Sequence, residues 1–216
     1  ANWIPDEFMR RVEADELCAE PERDDRDVHD QGRLLAEECN RLGVETMAHD
    51  ATTLAPEYGT LVPMRYMNAD QHFKAVSVSA LCTSHYLNDS ARLGWAMRKA
   101  VEDHYDGTVA FLASGSLSHR FAQNGLAPEF AFKVWSPFLQ HLDDEVVRMW
   151  QAGAWKDFCE MLPEYAVKGH GEGMMHDTAM MLGALGLYAV DPVSTNWVFG
   201  SPLVDHQRVL VGEPLS

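Results

Sequence analysis

The feature that most constrains the fold is the run GTVAFLASG, residues 107–115, which is almost continuously apolar. A short apolar run of this kind, bounded by glycine, is typical of a strand that is covered on both faces. It leads directly into the turn SLSH, which ends at His119. Open α/β sheets present reactive side chains in this way, at the carboxyl ends of their strands. The run therefore predicts a sheet enclosed by helices, with His119 at its edge.

The segments around this run alternate between helical and strand patterns. Residues 28–42 carry apolar side chains at helical spacing before Gly43, and residues 89–105 repeat the pattern behind an expected N-cap at Asp89 or Ser90. Further helical patterns cover residues 136–153, 155–166 and 175–186, and strand patterns cover residues 44–50 and 73–81. This order predicts an α/β fold in which a central sheet is flanked by helices.

Composition and charge restrict the class of protein. With 216 residues, 46% of them hydrophobic, the chain is expected to form a single domain over residues 1–216 with a sizeable core. A formal net charge of −16 argues against nucleic acid or an anionic membrane as the main partner. No apolar run approaches the roughly 18 residues that a membrane span needs, and the four cysteines form no C-x-x-C pair. We therefore expect a cytoplasmic protein with no nucleic-acid or membrane partner.

Three side chains near the predicted strand ends are candidates for catalysis. His119 is a candidate general acid or base, because imidazole titrates near neutral pH. The alternative is that it bonds a backbone carbonyl in a tight turn. Tyr58 lies in a predicted loop before a short apolar element, where a phenol either hydrogen-bonds a substrate oxygen or packs in the turn. His85 follows a predicted strand and either reaches the same rim or is an ordinary loop histidine.

The window KGHGEGMMHDTAMMLGALG, residues 168–186, places two histidines and two carboxylates before an apolar helical pattern. Imidazole and carboxylate are suitable ligands for Fe(II), Mn(II) or Zn(II). His170 and Glu172 alternate as in an extended segment, and the helical pattern starts at Met174. The motifs H-E-x-x-H and P-C-x-x-C are absent, so neither a zinc-protease helix nor a zinc deaminase is indicated. The window therefore predicts one contributed metal ligand and not a complete metal site.

Two longer stretches of the chain resemble one known family. EYGTLVPMRYMNADQHFKAVSVSALCTSHYLNDSARLGWAMRKAVEDHYDGTVAFLASGSLSHRF and FCEMLPEYAVKGHGEGMMHDTAMMLGALG are similar to the class III (LigB-type) extradiol ring-cleavage dioxygenases. Together they cover roughly residues 30–186. The resemblance implies a LigB-type α/β fold. It also implies oxidative ring cleavage of a catechol-type aromatic, such as 3,4-dihydroxyphenylacetate, in the catabolism of aromatic compounds.

The resemblance further implies one non-haem Fe(II), with Mn(II) as the alternative, held by two histidines and one carboxylate. Glu172 matches the carboxylate ligand, and His119 matches the histidine that follows the SGSLS turn and has acid–base duty. A catechol must lose protons when it binds, which is the task of such a histidine. His170 and His176 would then support the site or only the fold. The implied partners are the catechol, O₂, and either copies of the same chain or a related catalytic subunit.

The chain departs from the family at the two histidine ligands. In the family both lie in an N-terminal portion, each after an early strand, whereas the first histidine here is His29, in a charged stretch with no predicted strand before it. The resemblance therefore predicts a LigB-type fold without that N-terminal part, and three explanations stay open. The sequence is part of a longer chain, or it is a non-catalytic, metal-free subunit that rests on a catalytic relative. In the third explanation the metal site is rearranged, and histidines such as His49 or His85 bind the metal together with Glu172.

Overall fold

The computed structural model describes residues 26–49, 58–70, 72–79, 82, 85–120 and 133–188. The charge of the first thirty residues predicts a solvated loop with short helical pieces, and residues 1–25 of this stretch lie outside the described residues. The tail at residues 194–216, for which a poor family match is predicted, also lies outside them. The described chain forms helices α1 (Arg26–Arg41), α2 (Tyr58–Met67), α3 (Leu87–His104), α4 (Pro137–Ala152), α5 (Trp155–Lys168) and α6 (His176–Ala184), with a 3₁₀ turn at Glu172–Met175 before α6.

The helical predictions are confirmed where the sequence carries both an amphipathic pattern and a stop signal. Helix α1 ends at the expected glycine, because Gly43 adopts a φ of 80° and the following amide of Val44 bonds the carbonyl of Cys39. Ser136 is the N-cap of helix α4, and its Oγ accepts a hydrogen bond from the amide of Leu139 at 3.2 Å. The helix ends at Gly153, which has a φ of 66°.

Two helix starts differ from the prediction. The N-cap of α3 is Tyr86, not Asp89 or Ser90. Asp89 lies inside the first turn, where its carboxylate accepts a hydrogen bond from the amide of Tyr86 at 3.0 Å. This bond satisfies an amide at the helix start that has no partner within the helix, as a capping side chain also does. The predicted loop at Tyr58 is also wrong, since Tyr58 begins helix α2.

Helices α3 and α6 pack at very short range. A Cβ atom built on Gly94 of α3 would lie 1.8 Å from the carbonyl oxygen of Met180, and one on Gly183 of α6 would lie 2.0 Å from the carbonyl oxygen of Ala91. Only glycine permits this approach, because any side chain would meet the backbone of the other helix. The pair is thereby fixed in register, and α6 in turn fixes the window that precedes it.

The core has two parts that meet at the α3–α6 pair. The larger part lies between α3, α4, α5 and α6, and its fully buried side chains include Phe158, Leu162 and Tyr165. The smaller part joins α1 to α3 and α6 through Cys39, Met97 and Met180. Burial raises the pKa of the Cys39 thiol to about 11 and that of the Cys159 thiol to about 12, so both act as apolar core groups.

The predicted central sheet is not shown by the described residues. The segments 44–49, 72–79 and 105–117 are irregular, and the described chain contains one isolated antiparallel bridge, between Ser118 and Gly171. Val109 and Leu112, predicted to lie in a strand covered on both faces, are 41% and 49% exposed. Such a strand requires neighbouring backbone on each side, and the described residues do not supply it. Among the described helices, none is both long and apolar enough to cross a membrane.

Candidate functional site

The candidate site is built where two chain segments meet through their backbones. The amide of His119 donates a hydrogen bond to the carbonyl of His170 at 2.8 Å, and the amide of Glu172 donates to the carbonyl of Ser116 at 3.1 Å. These two bonds flank the bridge between Ser118 and Gly171. The turn after the apolar run is therefore tied to the GHGEG segment, and His119 and Glu172 are brought side by side.

Three of the four predicted site residues converge on a single oxygen atom. Oε1 of Glu172 lies 3.6 Å from Nε2 of His119 and accepts a hydrogen bond from the hydroxyl of Tyr58 at 3.1 Å. The side chains of His119 and Glu172 are 28% and 23% exposed, so the pair is partly desolvated but open to a ligand. An imidazole, a phenol and a carboxylate at this spacing can pass protons and bind a polar or metal ligand.

The backbone around Glu172 is strained. His170, Met174 and Met175 have φ values of 53°, 54° and 62°, and they are the residues other than glycine with positive φ in the described chain. Each such residue costs on the order of 1–3 kcal/mol and persists only where its surroundings hold it. Met175 is held because its side chain is 2% exposed in the larger core. Strain that is concentrated beside one carboxylate is typical of a functional site.

Asp177, for which the sequence analysis predicted no role, adds a second carboxylate beside this pair. Burial raises the pKa of the Asp177 carboxyl, and the negative charge of nearby Glu172 raises it further. Its oxygen approaches the backbone of Gly115, where an added Cβ atom would lie 2.3 Å from Oδ2. The sequence signal for this residue was its position in the first turn of a predicted helix, immediately after the segment that carries His170 and Glu172.

The fourth predicted residue, His85, is placed beside the buried His176. His176 is 4% exposed, and its Nδ1 lies 2.7 Å from Oγ of Ser90 on α3. Burial lowers the pKa of His176 to about 4, and the charge of His85 contributes in the same direction. His176 is therefore a neutral core histidine that connects α6 to α3. This position agrees with the structural role that the sequence resemblance left open for it.

The described residues do not by themselves form a complete site for an iron ion. Glu172 and His119 have suitable ligand atoms. However, within the described ranges no group of three or more His, Cys, Asp or Glu side chains is placed to hold a metal ion. His49 and His85, considered above as replacement ligands, are both described and do not form such a group with Glu172. The described residues therefore supply one potential carboxylate ligand, Glu172, with the imidazole of His119 beside it.

Comparison with known proteins gives two matches. The model of the family described as the catalytic LigB subunit of aromatic ring-opening dioxygenase matches residues 20–201. A curated protein described as 3,4-dihydroxyphenylacetate 2,3-dioxygenase, from Escherichia coli, is 53% identical to this chain over 155 residues, which make up 72% of this chain and 56% of the relative. The chain thus spans a little over half of the length of that relative. All of the residues that form the candidate site lie inside the family match.

Proposed function

Because this chain belongs to the family of the catalytic LigB subunits of aromatic ring-opening dioxygenases, we propose that it carries part of an extradiol dioxygenase site. The proposed substrates are O₂ and a catechol-type aromatic such as 3,4-dihydroxyphenylacetate, which is the substrate in the name of the 53% identical relative. The observation that carries the proposal is the convergence of His119 and Tyr58 on Oε1 of Glu172.

His119 is the proposed acid–base group. A catechol must give up hydroxyl protons to bind as an anion, and cleavage of the ring must return a proton to oxygen. Nε2 of His119 faces the site at 3.6 Å from Glu172, while its backbone amide is bonded to His170 and fixes the turn. The imidazole is thus held in the site through its backbone, and its Nε2 is proposed to take a substrate proton and later return it.

Glu172 is the proposed carboxylate ligand of a metal ion, Fe(II) or alternatively Mn(II), whose other ligands come from outside the described residues. Such an ion would supply a route for electrons from the bound catechol to O₂, which the protein side chains do not provide. Tyr58 is proposed to orient the ligand oxygen, because its hydroxyl donates to Oε1 of Glu172 and occupies one of the lone pairs. Its ring is on the open side, with Tyr58 64% exposed, where a substrate would enter.

The test is a ring-cleavage assay on the intact protein, purified without oxygen and supplied with Fe(II). The proposal predicts that 3,4-dihydroxyphenylacetate and O₂ disappear in equal amounts while a yellow ring-opened product forms. A product that arises by cleavage between the two hydroxyl groups would contradict the extradiol assignment. Absence of both O₂ uptake and colour would contradict the catalytic assignment altogether.

The alternative is a non-catalytic, metal-free subunit that pairs with a related catalytic chain. The family description favours the catalytic reading, because it names the catalytic subunit. The two are separated by co-purification: the alternative requires a second polypeptide in the active fraction, whereas the proposed enzyme is active as copies of one chain. Assembly into a homo-oligomer is part of the proposal and is measured in the same experiment by light scattering.

A further inference from the structure

A buried hydrogen-bond network lies directly beneath the candidate site. Asp143 on α4 is only 9% exposed, and its carboxylate accepts two hydrogen bonds. Oδ1 accepts from the hydroxyl of Tyr165 on α5 at 2.6 Å, and Oδ2 accepts from Oγ of Ser118. The three residues come from three different parts of the chain. Ser118 is the neighbour of His119, so the network ends one residue from the proposed acid–base group.

The same network reaches the segment that carries Glu172. Tyr165 is 1% exposed, and burial together with its bond to Asp143 raises the pKa of the hydroxyl, so the hydroxyl remains a donor. Its ring packs against the backbone of the GHGEG segment. A Cβ atom on Gly169 would lie 2.8 Å from the ring carbon Cε2, and one on Gly171 would lie 3.5 Å from Cε1. The ring therefore packs against this segment at two positions, Gly169 and Gly171.

We propose that Asp143 is a positioning residue that holds His119 against Glu172, acting through Ser118 on one segment and through Tyr165 on the other. The catalytic consequence of this inference rests on the proposed function. The positioning itself does not, because it concerns the two backbone bonds that join His119 to His170 and Glu172 to Ser116.

The chemistry of the position favours this role over simple packing. A buried carboxylate loses its hydration, and replacing buried polar groups by apolar ones of similar size is often neutral or stabilising. Asp143 stands in the apolar stripe of α4, between the buried Leu139 and Val146. A leucine would fill that position, but it would fix neither the Ser118 hydroxyl nor the Tyr165 hydroxyl. Two directional bonds on one carboxylate set the distance between the turn and α5.

Hydrogen exchange at the amides of His119 and Glu172 tests the positioning directly in the full chain. Asp143→Ala is expected to lower the protection of both amides about tenfold or more, because the segments can then separate locally. Asp143→Asn retains an acceptor for Tyr165 and a donor for Ser118, and it is expected to restore most of the protection. The matched control is Asp144→Ala, which changes the exposed neighbour on the same helix and should leave both amides unchanged.

The result that overturns the inference is unchanged protection of His119 and Glu172 in folded Asp143→Ala. Equal loss of protection throughout α4 and α5 would also overturn it, since that pattern is a general loss of stability. If Asp143→Ala does not fold, Ser118→Ala removes a single donor and decides the matter by the same two amides. Unchanged protection in that variant would equally contradict the proposal.

The kinetic arm uses the intact, iron-supplied enzyme and 3,4-dihydroxyphenylacetate. Displacement of His119 by a fraction of an ångström to about 1 Å is expected to lower kcat about 10- to 100-fold, with KM changed by less than about threefold. Asp143→Asn should recover most of kcat. A fall in kcat that the Asn variant does not recover would contradict a positioning role. An inactive wild-type enzyme would defeat the proposed function and leave the exchange result to decide the positioning.

Discussion

The hydroxyl of Tyr58 and the carboxylate of Glu172 are joined by a hydrogen bond of 3.1 Å, although 114 residues separate them in the chain. Tyr58 begins helix α2, and Glu172 stands in the 3₁₀ turn before α6. The bond links α2, a helix with no fully buried residue, to the centre of the candidate site. It also identifies the oxygen, Oε1, on which His119 converges from the other side.

Replacing Tyr58 by phenylalanine removes this hydroxyl and keeps the ring. Because the bond is made to a charged acceptor but is open to water, we expect a loss of about 1 kcal/mol, which is roughly a fivefold fall in kcat/KM. The measurement is steady-state ring cleavage at saturating O₂. Tyr66→Phe, on the exposed side of the same helix, is the control and should behave as wild type. Equal rates for wild type and Tyr58→Phe would exclude a role for the hydroxyl.

His119→Gln tests the acid–base role, since glutamine retains hydrogen bonding but cannot carry a substrate proton at neutral pH. We expect kcat to fall about 10²- to 10⁴-fold while the affinity for the catechol changes little. Binding is followed by titration of the anaerobic enzyme with substrate, and turnover by O₂ uptake. His141→Gln, at an exposed position of α4, serves as the control. Retention of more than about a tenth of wild-type kcat would contradict the assignment.

The short contact between α3 and α6 predicts a large difference among glycine variants. Gly94→Ala and Gly183→Ala place a methyl group against backbone of the opposite helix, so each should lower the free energy of unfolding by about 3 kcal/mol or more. Gly32→Ala, in the interior of α1 with no atom within 4 Å of the new Cβ, should raise it by about 0.5–1 kcal/mol. Urea unfolding measures all three variants. Similar values for Gly94→Ala and Gly32→Ala would show that the helices do not pack at this distance.

The buried His176 predicts a loss of stability in weak acid. Its pKa in the folded chain is about 4, below the ordinary histidine value of 6.5, so the unfolded chain takes up the proton first as the pH falls. The contribution is fully present above about pH 6.5 and is lost between about pH 6.5 and 4, by about 3 kcal/mol in total. Among the residues that the structure describes, Ser90 and His85 face the ring.

Urea unfolding across this pH range, compared between wild type and His176→Gln, measures the effect. The variant should lose less stability on acidification than wild type, because glutamine does not titrate, even where its stability at pH 7 is lower. His141→Gln controls for the removal of an exposed imidazole and should follow the wild-type slope. Parallel pH profiles for wild type and His176→Gln would contradict a buried, neutral His176.

The sequence predicted the helices well, because amphipathic spacing and terminal glycines are local signals. It placed the N-cap of α3 wrongly, since Asp89 and Ser90 both have side chains of the kind that cap helices. The carboxylate of Asp89 accepts a hydrogen bond from the amide of Tyr86, and the hydroxyl of Ser90 hydrogen-bonds the ring of His176 on another helix. The central sheet was inferred from apolar runs, whose burial depends on neighbouring backbone that a local pattern does not contain.

The residues of the candidate site could be predicted from the sequence, but the hydrogen bonds and backbone conformations that hold them in place could not. His119 stood out because it ends the turn after an apolar run, and Glu172 because it lies in a window with two histidines and a second carboxylate. The family resemblance assigned them complementary roles. Asp143 left only a weak signal, a carboxylate inside an apolar helical stripe, and its partners Ser118 and Tyr165 are distant in sequence. The positive φ values of Met174 and Met175 left none, because methionine does not favour that conformation.

The most direct test of the proposed site is the metal content of Glu172→Gln beside that of wild type, both prepared anaerobically with Fe(II). Glutamine keeps the size of the side chain but removes its charge, so the proposal predicts about one iron per site in wild type and at least about a tenfold loss of affinity in the variant. Glu164→Gln, at an exposed position of α5, should bind iron as wild type does. Iron bound equally tightly by Glu172→Gln and wild type would contradict the assignment of Glu172 as the carboxylate ligand.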